Sequence, residues 1–127
     1  MAPITILLVE DNEDDRFLTI RALRKLPVQL EIGIAKNGDE ALKRVIAEEN
    51  DLPNLVLLDL QLPKIGGTTL LARIRERYDN SKLPILILTS SDNPADINIC
   101  LELGICGYLF KPLDAASLAS FLPKKTP

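Results

Sequence analysis

A chain of 127 residues, 46% hydrophobic and 26% charged, can bury a core without disulfides or metals to staple it. Its net charge of −3 and pI of about 5.0 argue against a nucleic-acid surface, and the basic residues are scattered apart from Lys124-Lys125. No apolar run approaches the roughly 20 residues that span a bilayer, and Met1-Ala2-Pro3-Ile4 lacks the basic region of a signal peptide. A cytoplasmic domain with no membrane or nucleic-acid partner is expected. Histidine is absent, which removes His-based catalysis, His metal ligation and phosphohistidine carriage by this chain. Cys100 and Cys106 fall in an apolar segment and read as buried thiols rather than a disulfide or metal pair.

In chain order, Ile4 to Val9 is an apolar, β-branched strand that ends in the acids Glu10-Asp11-Asn12-Glu13-Asp14-Asp15. A helix follows from about Asp14 to Leu26, acidic in its first turn and ended before Pro27. Leu30 to Ala35 alternates as an outer, half-exposed strand. Asn37-Gly38-Asp39 turns into a helix to about Glu49, with Ala41, Leu42, Val45 and Ile46 on one stripe. Leu55-Val56-Leu57-Leu58 runs apolar without alternation and stops at Asp59, the signature of a strand buried on both faces. Beyond Pro63 and Gly66-Gly67 a helix is expected from about Thr68 to Tyr78. Ile85 to Thr89 is another continuous apolar strand, ending in the hydroxyls Thr89, Ser90 and Ser91. Pro94 suits the first turn of a helix that reaches Leu103 and stops at Gly104. Tyr108-Leu109-Phe110 is a short strand ended by Lys111-Pro112, and Asp114 caps a last helix to about Leu122.

Strict βα alternation predicts an α/β fold: a doubly wound, five-stranded parallel sheet with helices on both faces. The flavodoxin-like order 2-1-3-4-5 fits, because the runs beginning at Ile4, Leu55 and Ile85 are the apolar, central ones. The topological switch point then falls between the first and third strands, so Glu10, Asp11 and Asp59 become neighbours. Thr89 and Lys111 arrive at the same edge from the next two strands. Like charges this close need compensation. Lys111 supplies one positive charge, and a hard divalent cation such as Mg²⁺ would supply two more. The assembly suits phosphoryl transfer, with Asp59 attacking phosphorus, Lys111 and the cation neutralising equatorial oxygens, and Thr89 donating a hydrogen bond to one of them.

These residues resemble the receiver domain of two-component response regulators over essentially the whole chain. The matching pieces are Leu8-Val9-Glu10-Asp11-Asn12, Asp59-Leu60-Gln61-Leu62-Pro63 with Gly67 beyond, Leu88-Thr89-Ser90, Tyr108, and Lys111-Pro112. The resemblance implies that Asp59 is the phosphoacceptor of a sensor histidine kinase. It implies that Asp11 binds Mg²⁺ directly, Glu10 through water, and Gln61 through its backbone carbonyl. Thr89 and Tyr108 look like a switch pair, and Lys111 the phosphate partner before a cis Lys111-Pro112 bond. Leu62 and Gly66 depart from the family's commoner residues, while Gln61 and Ser91 stand where phosphate lifetime is tuned. The spacing from Thr89 to Ile97 is similar to single-domain regulators paired with bacterial phytochromes.

Other classes fit less well. A haloacid-dehalogenase-type phosphatase wants a second Asp two positions after its nucleophile, which neither Glu10-Asp11-Asn12 nor Asp59-Leu60-Gln61 supplies. A flavodoxin-like cofactor binder needs a Gly/Ser/Thr phosphate loop where this chain has acids. A pseudo-receiver would lack the set Asp11, Asp59, Thr89 and Lys111. One receiver domain over residues 1–127 with no output domain is expected, hence a freestanding relay acting on an unidentified downstream protein.

Two surfaces are expected to meet partners. At about 100° per residue, Leu18, Ala22 and Leu26 of the first helix face the sheet, while Phe17 and Ile20 point outward toward a kinase. In the fourth helix Ile97 and Leu101 face the sheet and Ile99 and Leu103 point away, with Tyr108 and the small-residued last helix extending the patch. That face is expected to pair with a second copy, or else to lie under the C-terminal tail.

Overall fold

A computed structural model describes residues 3–63, 65–90 and 94–122. Each apolar run becomes a strand and each capped segment a helix: β1 (Ile4–Val9), α1 (Glu13–Arg24), β2 (Leu30–Ala35), α2 (Gly38–Ala47), β3 (Leu55–Asp59), α3 (Gly67–Arg75), β4 (Ile85–Thr89), α4 (Pro94–Leu103), β5 (Gly107–Phe110) and α5 (Ala115–Ala119). All pairings are parallel, in the order β2-β1-β3-β4-β5. The expected architecture is the one observed.

The central strands β3 and β4 are buried at every position, as covering on both faces demands. Their side chains alternate between two apolar layers. Leu7, Val9, Val56, Leu58, Ile85 and Ile87 meet α2, α3 and α4 through Ala41, Val45, Leu70, Ile74 and Cys100. Ile6, Leu8, Leu55, Leu57, Leu86 and Leu88 meet α1 and α5 through Ala22, Leu23 and Leu118. Burying a Leu, Ile or Val side chain is worth roughly 1.5–3 kcal/mol each, so these layers hold the strand ends in place.

The helices carry the differences from expectation. Helix α1 buries Thr19, Ala22 and Leu23, while Leu18 is 52% and Phe17 64% exposed. Ile20, expected to face outward, is half-buried against the apolar layer. The helix is turned by about one residue, or 100°, from the expected face, with the polar Thr19 on its buried side. Helix α4 is also turned: Cys100 is fully buried and Leu103 packs on the α2–α3 layer, whereas Ile99 and Leu101 are exposed. Apolar residues at 97, 99, 101 and 103 surround this helix, so their spacing carries no phase. On α2, Ile46 is exposed although Ala41 and Val45 are buried. Helices α3 and α5 end at Arg75 and Ala119, short of Tyr78 and Leu122. Ser91, Lys124-Lys125 and the tail expected over α4 lie outside the described residues.

Candidate functional site at the carboxyl edge of the sheet

Glu10 follows the last residue of β1, and its backbone N–H donates to the Ala35 carbonyl at 3.0 Å, extending the sheet by one rung. Arg16 reaches back from α1 to donate to the carbonyls of Glu10 and Asp11, at 3.0 and 2.9 Å. Asn12 caps α1 by accepting from the Asp15 backbone N–H at 2.9 Å. This turn sets Glu10 inward, completely buried, and leaves Asp11 exposed.

Asp59, the last residue of β3, is 2% exposed. One of its oxygens, Oδ1, accepts from the Gln61 backbone N–H at 2.9 Å. The loop beyond is drawn tight by Gly67, whose N–H donates to the Leu60 carbonyl at 3.1 Å. A Cβ at Gly67 would lie 2.5 Å from Leu60 Cα and 2.9 Å from the Asp59 carbonyl oxygen, so only glycine fits. The Ser90 hydroxyl donates to Gln61 Oε1 at 2.7 Å, joining the loops after β3 and β4 above the site.

Lys111 arrives after β5, its backbone N–H donating to the Thr89 carbonyl at 2.9 Å, and the Lys111-Pro112 bond is cis. Its ammonium donates to Glu10 Oε1 at 2.5 Å, Asp15 Oδ2 at 2.9 Å and Asp59 Oδ2 at 3.0 Å. Thr89 is fully buried at the end of β4. Tyr108 is exposed and meets Phe110 edge-on, ring centroids 5.8 Å apart.

The structure therefore brings Glu10, Asp59, Thr89 and Lys111 to one edge. Asp15 was not expected there. Oxygens of Glu10, Asp15 and Asp59 lie within 4.8 Å of one another, a group that does not include Asp11. The acids after β1 read as partners of the helix dipole, yet Asn12 as N-cap makes Asp15 the third helical residue, whose side chain reaches back toward the helix start. That spacing was the available signal.

Three carboxylates share one ammonium, and the most deeply buried of them, Glu10, is shifted. Burial, reinforced by a hydrogen bond with Asp59 and opposed by Lys111, pushes Glu10 up from 4.5 to about 7. Burial alone would lower the Lys111 pKa, but its hydrogen bonds to Glu10, Asp15 and Asp59 outweigh that and hold it above the ordinary lysine range. An all-oxygen donor set with an uncompensated negative charge fits a hard divalent cation of the Mg²⁺ type. No helix among the described residues is long and apolar enough to cross a membrane.

The family model for the response regulator receiver domain matches residues 6–122. Response regulator Rcp1 of Synechocystis sp. is 36% identical over 113 residues, covering 86% of this chain and 77% of that protein. Its crystal structure in the Mn²⁺-bound form superposes with a TM-score of 0.81 at 33% identity, over 96% of this chain and 100% of that one. The phosphorylated cyanobacterial phytochrome response regulator RcpA gives 0.80 at 32% identity, over 94% and 75%. A buried aspartate at the end of the third strand, an acidic cluster and a lysine after the fifth suit an aspartyl phosphorylation site. On the family match and this geometry together, the chain belongs to the response regulator receiver domains of two-component signalling.

Proposed function

We propose that this protein is a phosphorelay switch that takes a phosphoryl group onto Asp59 from a sensor histidine kinase. The observation that carries this reading is the setting of Asp59: 2% exposed, held at Oδ1 by the Gln61 N–H and at Oδ2 by Lys111, at the edge where the acids converge. A carboxylate fixed at both oxygens costs little further ordering to present for attack. An Asp59 oxygen attacks phosphorus, the P–N bond of the donor phosphohistidine breaks, and its electron pair leaves on the imidazole. Lys111 moves its donors onto the incoming phosphoryl oxygens, and the Thr89 hydroxyl donates to another.

Asp11 and Asp59 would hold Mg²⁺ with Glu10 acting through water and Gln61 through its carbonyl, most positions being left to water, while Asp15 stays with Lys111. When bound, the cation screens phosphoryl and carboxylate charges from one another. The Mn²⁺-bound structure of Rcp1 supports a divalent cation.

The output is a change of surface. Drawing the Thr89 hydroxyl inward vacates space that the Tyr108 ring can occupy, so two packings of the β5 face exchange. The similarity to phytochrome response regulators favours a phytochrome-linked kinase as donor. Acetyl phosphate with Mg²⁺, read by intact mass, tests the site: one phosphoryl mass is expected on the wild type and none on Asp59→Asn. An equal gain on Asp59→Asn would show that another group is the acceptor. Tyr108 fluorescence should change on phosphorylation and stay fixed in Thr89→Ala.

A further inference from the structure

An ammonium has three N–H donors, and those of Lys111 are all engaged, by Glu10, Asp15 and Asp59. A phosphoryl group on Asp59 needs at least one of them, so a present partner must be released. The three are not equal. The side chain of Glu10 is 0% exposed and that of Asp59 3%, whereas that of Asp15 is 38%. Freeing Glu10 or Asp59 would leave one buried carboxylate oxygen without solvent, the other keeping a single backbone N–H from Asn12 or Gln61, while water can take over at Asp15. Asp15 also belongs to a different element, the first turn of α1, and lines a groove of about 290 Å³ with Leu18, Thr19, Ser90, Lys111 and Pro112.

We infer that Asp15 is the exchangeable partner of Lys111: it holds the ammonium in the unphosphorylated protein and yields it when a phosphoryl oxygen arrives. The inference rests on the phosphoacceptor reading of Asp59. Asp15 acts through Lys111 and is a positioning residue. Its release carries the chemical change at Asp59 to the start of α1 and opens the groove beside it.

The test compares acetyl-phosphate labelling of the full chain at saturating Mg²⁺ for wild type, Asp15→Asn and Asp14→Asn. Asp14 is exposed, sits in the same helical turn and is not among the partners of Lys111. Asp15→Asn should label about two- to fivefold faster, the worth of a half-exposed ion pair, and Asp14→Asn at the wild-type rate. Acceleration of both variants would assign the effect to net charge and overturn the inference. A rate in Asp15→Asn that is unchanged, or that falls and recovers with more Mg²⁺, overturns it as well. In the wild type, the Asp15 carboxyl carbon should shift in NMR when a beryllium fluoride mimic binds; a fixed resonance contradicts release. Asp15→Glu should restore the slow rate. Absence of label on wild-type Asp59 would instead sink the phosphoacceptor reading itself.

Discussion

Glu10 and Lys111, 101 positions apart in the chain, meet at 2.5 Å at the floor of the site. The contact exists because β1 and β5 end at the same edge of a parallel sheet, with β3 and β4 between them. Burial of Glu10 outweighs what this contact gives back, and a pH dependence follows.

With the metal chelated, Glu10 should lower stability as pH rises. Its folded pKa of about 7 exceeds the ordinary 4.5, so the folded state holds the extra proton between those values. Stability is then highest below about 4.5 for this group, falls through the window, and levels off above 7. The span is about 3 kcal/mol in order of magnitude. Urea melts in EDTA from pH 5 to 8 should show the slope in wild type and a flatter one in Glu10→Gln. Identical slopes would place the titration elsewhere.

Gly67→Ala should destabilise by about 1–3 kcal/mol, because the new Cβ meets backbone atoms of Leu60 and Asp59 that cannot step aside. Gly66→Ser should not, since nothing lies within 4 Å of a Cβ there, and the helix start has no side-chain cap to lose. Denaturant midpoints separate the two. Equal midpoints would mean that the loop after Asp59 relaxes freely.

Kinase docking is expected on the exposed pair Phe17 and Leu18 of α1, of which Leu18 shares a groove with Asp15. Phe17→Ala with Leu18→Ala should slow transfer from a phosphorylated histidine-kinase domain about tenfold, the scale of a lost interface anchor, while acetyl-phosphate labelling continues. Ile20→Ala should act on stability instead, because Ile20 packs on the α1 layer. Equal slowing of both donors would assign Phe17 and Leu18 to folding.

A second copy is expected on the face formed by α4 and β5, where Ile99, Leu101, Tyr108 and Phe110 are each exposed. Ile99→Glu with Leu101→Glu should give a monomer by light scattering and leave labelling intact. Leu103→Glu should unfold the protein, since Leu103 packs on the core. A wild type that stays monomeric at high concentration, labelled or not, would assign the patch to another partner.

The order of the sheet, the strand limits and the gathering of Glu10, Asp59, Thr89 and Lys111 were legible in the residues. A strand buried on both faces must be continuously apolar and must end where polar groups begin, so Leu55 to Asp59 and Ile85 to Thr89 announce themselves. Tertiary structure decided the rotation of the helices and the partners of Lys111. Periodicity yields a phase only when one side of a helix is polar. Thr19 is polar yet buried, and α4 is apolar all round, so packing alone chose Leu23 over Leu18 and Cys100 over Leu101. The choice of Asp15 rather than Asp11 beside Lys111 also lay beyond local reading. It depends on the Asn12 cap, which sets where α1 begins, and on a contact across 96 positions that only the assembled sheet brings within 2.9 Å.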